Sequence, residues 1–292
     1  MRGLLRCKSS ESPTTFRYIA TKERMENMKK GFLITLALLL VLGLAACGNS
    51  TPENTEDETE LIVFAAASMS GVLLEIADLY TAENPHTNVI FSFDSSGTLR
   101  TQVQEGAEAD VFISAATREM DQLEEGDFVL EGTRVDFLEN QTVLVVAPDN
   151  PRGIESFADM VDALLAGDVL MAMGNMDVPV GRYAQEILVY FGLDHEELAR
   201  TGVITYGSNV REVATQVREA SVNIGIVYLT DAVDFELNVA DIATPEMAGR
   251  VIYPAAVLRG SQNVDAAQSF LDFMVGDAAM AVFVAWGFTP FV

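Results

Sequence analysis

Three observations predict an α/β protein with mainly parallel sheets flanked by helices. Short apolar runs recur between turn residues, stretches with apolar residues three and four apart follow them, and the two patterns alternate from residue 61 to the C-terminus. The first run, Leu61-Ile62-Val63-Phe64-Ala65-Ala66, is apolar at every position, as a strand covered on both faces requires. Val72, Leu73, Ile76, Leu79 and Tyr80 then keep helical spacing until Asn84-Pro85 stops it. Residues 89–93 read as a strand, 98–105 as a helix, 110–114 as a strand and 118–124 as a helix. Residues 143–147 form another strand, closed by Pro148-Asp149-Asn150-Pro151, a turn-rich cluster that marks the expected lobe boundary. Beyond it, helices over 154–165, 182–191, 194–200 and 210–219 alternate with strands over 169–173 and 223–228. A returning strand over 251–258 and helices over 264–274 and 278–286 complete the chain.

Ahead of this region lies an address signal. Lys29-Lys30 precedes an apolar run too short to span a bilayer and long enough for a signal-peptide core, ending in Leu44-Ala45-Ala46-Cys47. Small residues before a cysteine resemble the lipobox of bacterial lipoproteins, which implies acylation of Cys47 and an extracytoplasmic, membrane-anchored mature protein. Residues 1–46 are therefore the expected signal peptide. Residues 1–24 within it fit no such signal and are expected to precede the true start, at Met25 or Met28. Residues 48–60 contain no apolar side chain and many acids, so with Cys47 they form a tether rather than a packed element.

Charge narrows the partners. The full chain carries 18 basic and 43 acidic residues, and loss of residues 1–46 leaves ten arginines against 40 acids. Such a surface disfavours nucleic acid and anionic headgroups. Only Cys7 and Cys47 are present, so the mature fold has no disulfide and depends on burial.

Ligands of open α/β sheets bind beyond the carboxyl ends of strands, beside helix N-termini. Five such junctions stand out. Ala65-Ala66-Ala67-Ser68 and Phe93-Asp94-Ser95-Ser96-Gly97-Thr98 place hydroxyls there, although serine is also a common helix cap. Val178-Pro179-Val180-Gly181 precedes the helix expected from Arg182, where proline and glycine bring backbone amides close to a bound group. Asn209 and Glu212 have the spacing of a capping box, leaving Val210 as a first-turn residue whose N–H has no intrahelical acceptor. Gly225-Ile226-Val227-Tyr228 ends a strand in a phenol.

These segments, with Ala109-Asp110-Val111-Phe112-Ile113-Ser114-Ala115, Arg182-Tyr183-Ala184 and Trp286-Gly287-Phe288-Thr289, closely resemble the periplasmic molybdate-binding proteins of ABC transporters over essentially all of residues 61–292. The resemblance implies a two-lobed periplasmic-binding-protein fold of type II with the ligand cleft between the lobes. Lobe one is expected over 61–146 and 249–292, and lobe two over 147–248. It further implies that the Ser68 and Ser96 hydroxyls, the Val180 and Val210 amides and the Tyr228 hydroxyl hold molybdate or tungstate, with no cofactor and no direct protein–metal bond. The implied partners are an ABC permease with its ATPase, and the implied state is a monomer.

Asp94 stands where many relatives carry a small neutral residue, which opens phosphate or sulfate as alternative ligands. A donor-only site suits molybdate, a dianion with no proton at neutral pH. Six or seven hydrogen bonds at about 1.5 to 3 kcal/mol each exceed the roughly 8 to 12 kcal/mol of micromolar to nanomolar binding. A serine-hydrolase-like enzyme is the alternative from another class. No G-x-S-x-G elbow is present, however, and the two histidines, His86 and His195, are far apart in sequence.

Overall fold

The computed structural model describes residues 58–291; the signal segment, Cys47 and most of the tether lie outside them. Lobe one opens with β1 (Thr59–Ala66), a 3-10 turn (Ala67–Met69), α1 (Ser70–Glu83), β2 (Thr87–Asp94) and α2 (Ser96–Gln104). It continues through β3 (Val111–Ile113), α3 (Thr117–Glu125) and β4 (Val135–Asn140). Lobe two holds β5 (Thr142–Val146), α4 (Phe157–Ala166), β6 (Met171–Gly174), α5 (Pro179–Tyr190), α6 (His195–Thr201) and β7 (Ile204–Gly207). It ends with α7 (Val210–Arg218), β8 (Ile224–Tyr228), α8 (Leu229–Asp234), β9 (Asn238–Ile242) and α9 (Pro245–Ala248). The chain returns to lobe one through β10 (Val251–Val257), α10 (Val264–Met274), α11 (Asp277–Ala285) and β11 (Thr289–Pro290).

The lobe-one sheet has the order β11-β4-β10-β3-β1-β2, and the lobe-two sheet β7-β6-β8-β5-β9. Strands β1, β2 and β3 are parallel, as are β7, β6 and β8, in keeping with their helical crossovers. Strand β10 runs antiparallel to β3 and β4, and β5 antiparallel to β8 and β9. The sheets are therefore mixed where the sequence pattern predicts mainly parallel ones. Strands β5 and β10 arrive from the other lobe and not by a strand–helix–strand unit, so no crossover forces them parallel.

Strand β5 also moves the lobe boundary. Its pairing with β8 places it in lobe two, so the first crossing falls at Gln141, where the sequence reading has lobe one continuing to residue 146. The turn cluster at 148–151 follows β5 and is a loop inside lobe two. Strands β4, β7, β9 and β11 escaped the sequence reading. The exposed edge strand β9 (NVADI) shows why: it lacks the continuous apolar run that marks the inner strands.

Both sheets are covered on both faces. Along β1, Leu61, Val63 and Ala65 enter one core and Phe64 another; along β5, Val143 and Val145 enter the first and Leu144 and Val146 a third. This division follows the two-residue period of a strand. The first core continues across both lobes. A row of edge-to-face rings, Tyr183–Tyr228–Tyr253–Phe288–Phe283, crosses between them with centroids 5.3 to 6.2 Å apart.

Candidate functional site

Lobe one presents two serines at the starts of helical turns. Ser95 precedes α2 and caps it, its Oγ accepting the Thr98 N–H at 3.1 Å. That leaves Ser96, fully buried at the first helical position, for another role. Ser96 Oγ accepts the Ala115 N–H at 3.0 Å, which directs its own hydrogen away from Ala115. Ser68 lies in the 3-10 turn after β1, with its Oγ 2.9 Å from Tyr253 Oη.

Either hydroxyl can donate in the Ser68–Tyr253 contact, and Asn140 biases which one does. Asn140 Oδ1 accepts the Gln141 N–H at 2.8 Å, so the amide turns its Nδ2 to Thr230 Oγ1 at 2.8 Å and Tyr253 Oη at 3.3 Å. An amide nitrogen only donates. Tyr253 accepts from Asn140, so its hydrogen is available to Ser68 Oγ, which frees the Ser68 hydrogen to donate elsewhere. Asn140 sits at the last position of β4, where the chain crosses between lobes.

Lobe two contributes two more helix N-termini. Helix α5 begins at Pro179, three residues before the start expected from sequence, with the proline at a first-turn position that needs no N–H. Val180 is its second residue, and its N–H has no intrahelical acceptor. The Gly181 N–H is committed to the Val178 carbonyl at 3.0 Å. A Cβ on Gly181 would stand 2.2 Å from the Asn175 carbonyl oxygen, so glycine alone lets α5 seat against the end of β6. At α7, Asn209 Oδ1 accepts the Glu212 N–H at 3.1 Å, as the capping motif predicts. The Glu212 carboxylate accepts from Ser208 N at 2.7 Å, so the box closes one residue earlier than Asn209 itself.

Tyr228 ends β8, where 1% of its surface is exposed, and its hydroxyl has no hydrogen-bond partner among the described residues. Burial pushes its pKa well above the usual phenol value, and Tyr253, Tyr183 and Asp231 add to the effect while Arg182 opposes it. The hydroxyl therefore stays protonated and can donate. Leaving a buried hydroxyl unpaired costs about 1 to 3 kcal/mol, a cost that a bound acceptor would remove.

Ser68, Ser96, Val180, Val210 and Tyr228 all line one small cavity between the lobes. Ser95, Ala115 and Pro179 complete much of the wall, and no residue lining the cavity is charged. Asp94 is not in the wall: its Oδ1 accepts the Ser95 N–H at 2.7 Å and serves the turn before α2. Tyr253 and Asn140 are not marked by any local motif, their partners being 185 and 113 residues away. Ala115 closes the quoted segment 109–115, but its bond to Ser96, 19 residues away, is not legible there.

Neither histidine approaches the serines. The His86 carbonyl accepts from Thr59 N at 2.8 Å, at the opposite end of β1 from Ser68, about 25 Å away at about 3.3 Å per residue. His195 opens α6, beyond the C-terminal end of α5 and roughly 15 Å along that helix from Val180. No group of histidine, cysteine and acidic residues suited to a metal ion occurs among the described residues.

A two-lobed α/β fold that gathers polar hydrogens from both lobes around one uncharged cavity defines a solute-binding protein. Residues 61–289 match the family model described as bacterial extracellular solute-binding protein, and the chain belongs to that family. The molybdate-binding protein ModA of Haemophilus influenzae is 33% identical, over 90% of this chain and 99% of its own. YvgL of Bacillus subtilis, named as an ABC transporter substrate-binding lipoprotein, is 31% identical over 89% of this chain and 98% of its own. The structure of the Azotobacter vinelandii periplasmic molybdate-binding protein superposes with a TM-score of 0.69 at 22% identity, over 78% of this chain and 98% of that one, a likeness of fold.

Proposed function

We propose that the protein captures molybdate, and equally tungstate, outside the cytoplasmic membrane and delivers it to an ABC importer. In this reading the Ser68, Ser96 and Tyr228 hydroxyls and the Val180 and Val210 amides donate to the four oxygens of the anion. The observation that carries it is the Tyr228 hydroxyl, buried and unpartnered beside a cavity whose lining is uncharged. Helix N-termini add favourable potential of about 0.3 to 1 kcal/mol each, so a dianion needs no countercharge. The relatives named for molybdate binding support the choice of ligand.

Phosphate keeps a proton at neutral pH, and an uncharged wall of donors offers that proton no carboxylate. Sulfate has the charge of molybdate but is smaller, so fixed donors cannot all reach it. Competition calorimetry with the four anions tests the reading. Tight molybdate and tungstate, weak sulfate and undetectable phosphate are expected; phosphate binding best would replace molybdate with phosphate as the ligand.

The membrane anchor in this reading is a diacylglycerol on Cys47, supported by the lipobox-like sequence and by the lipoprotein name of YvgL. Replacing Cys47 by Ser should abolish lipid labelling and release the protein from membranes. A labelled, anchored Cys47→Ser variant would sink the anchor assignment without touching the ligand. The permease and its ATPase are the partners, and the protein acts as a monomer.

A further inference from the structure

One buried ion pair joins the lobes away from the cavity. Glu119, in the first turn of α3 in lobe one, is fully buried, and its Oε1 accepts from Arg182 Nη2 of lobe two at 2.6 Å. Arg182 is the fourth residue of α5, two positions after Val180. Its Nη1 donates to the Met176 carbonyl at 3.2 Å, so one guanidinium grips the loop before α5, the first turn of α5 and lobe one together. Neither Glu119 nor Arg182 lines the cavity.

The same two surfaces meet at a second point. A Cβ on Gly97, in the first turn of α2, would stand 2.0 Å from the Asp177 carbonyl oxygen. Only the absence of a side chain lets the segment 176–182 come this close to lobe one. The contact surface around the ion pair is thus shaped for closure, and it carries the helix turn that presents the Val180 amide.

We propose that Glu119 and Arg182 form an interlobe latch, with Arg182 a positioning residue that holds the first turn of α5 against lobe one and so sets how slowly the bound anion leaves. The inference rests on the oxyanion reading of the cavity. Opening the lobes would separate the pair, so the attraction between Glu119 and Arg182 acts in the closed state alone, against the cost of taking both charges out of water. Burying one partner without the other is far less favourable than burying both, which couples the two residues.

A simple field effect predicts something different. If Arg182 acted only as a positive charge near the anion, Glu119→Gln would tighten binding and Arg182→Gln would weaken it. A latch requires both substitutions to weaken it, through dissociation. Stopped-flow and calorimetric titration of wild type, Glu119→Gln, Arg182→Gln and the double variant with molybdate, tungstate, sulfate and phosphate would decide. For the anion that binds wild type most tightly, each single variant should release it about tenfold faster, as expected for the loss of about 1.4 kcal/mol. Association should change less than twofold, the double variant should be no worse than the worse single one, and unfolding of the anion-free protein should be unshifted.

Opposite signs, additive losses, or an equal loss of anion-free stability would overturn the latch. A wild type that binds tightly a different anion from molybdate refutes the ligand assignment and leaves the latch measurable with that anion. If no anion binds, distances between spin labels on the two lobes read the latch directly. A wild type with no closed fraction, or a closed fraction that persists in both single variants, then refutes it.

Discussion

Two of the cavities between the lobes differ in kind. The smaller is walled by Ser68, Ser96, Val180, Val210 and Tyr228 and carries no charged side chain. The larger, a groove, is lined by Arg211, Arg218, Glu212 and Asp234, with Phe93 and Ala67 facing them from lobe one. Charge and size alone would assign an anion to the groove. Its charges, however, are already committed. Arg211 pairs with Asp234 at 2.7 Å, the Arg211 and Arg218 guanidiniums lie 4.5 and 4.9 Å from the Phe235 ring, and Glu212 closes the cap of α7. The small cavity instead holds the buried Tyr228 hydroxyl without a partner. On the proposed reading an anion is held where donors are uncommitted, and formal charge is a poor guide to that.

The largest effect expected is at Asp231, which lines neither cavity but interacts electrostatically with Tyr228 of the one and Arg211 of the other. It is buried, and neither carboxylate oxygen has a partner among the described residues. Burial foremost, with Asp234 adding and Arg211 opposing, raises its pKa from 3.8 to about 8. Between those values the folded protein keeps a proton that the unfolded chain releases, so the contribution of Asp231 to stability is greatest below about pH 4 and falls as pH rises to about 8. At about 1.4 kcal/mol per pKa unit, the ceiling is several kcal/mol. Asp231→Asn should remove this slope and be more stable than wild type at pH 9. Urea unfolding of both proteins at pH 5 and 9 measures it; parallel curves would remove Asp231 from the account.

Next come the cavity hydroxyls. Tyr228→Phe and Ser96→Ala should each weaken molybdate binding about 10- to 150-fold, the equivalent of about 1.5 to 3 kcal/mol. Tyr228→Phe should leave the anion-free protein at least as stable as wild type, because it removes a buried hydroxyl that has no partner to lose. Ser96→Ala should lose some stability as well, since it strips the Ala115 N–H of its acceptor. Calorimetry alongside thermal unfolding separates the two. Wild-type affinity in both variants would break the contrast between the cavities.

Arg211→Gln, in the groove, should change molybdate affinity less than about threefold, the scale of an exposed ion pair worth up to about 1 kcal/mol. A tenfold loss by calorimetry would mean that the groove charges do hold the anion. The smallest effect is expected at Asp94. With its carboxylate on the Ser95 N–H, Asp94→Ala should leave the order of anion preference unchanged. Competition calorimetry in which the variant exchanged phosphate for molybdate would restore Asp94 as a proton acceptor in the site.

Much of this site was legible in the chain because its parts obey short-range rules. A serine or asparagine before a helix, proline at a first turn, and an apolar run ending in a phenol each follow from spacing over four or five residues. Ser68, Ser96, Val180, Val210 and Tyr228 could be marked in this way, and the family resemblance grouped them. The same rules overreached at the turn cluster 148–151, where a strong local break sits inside lobe two. The lobe to which β5 belongs is decided by which strand it meets, and β8 is some eighty residues further on.

Sequence by itself determined the alternation of strands and helices, the junctions that expose amides and hydroxyls, and the acidic balance of residues 47–292. Those properties depend on neighbours along the backbone. Tertiary structure alone decided that Asn140 and Tyr253 orient the Ser68 hydrogen, that Asp94 serves a turn, that Gly97 must clear the Asp177 carbonyl and that Glu119 meets Arg182 across the lobes. Each of these, apart from the Asp94 turn, joins residues tens to nearly two hundred positions apart. Hydrogen bonds and ion pairs act over about 3 Å, so only the folded geometry brings such partners within reach.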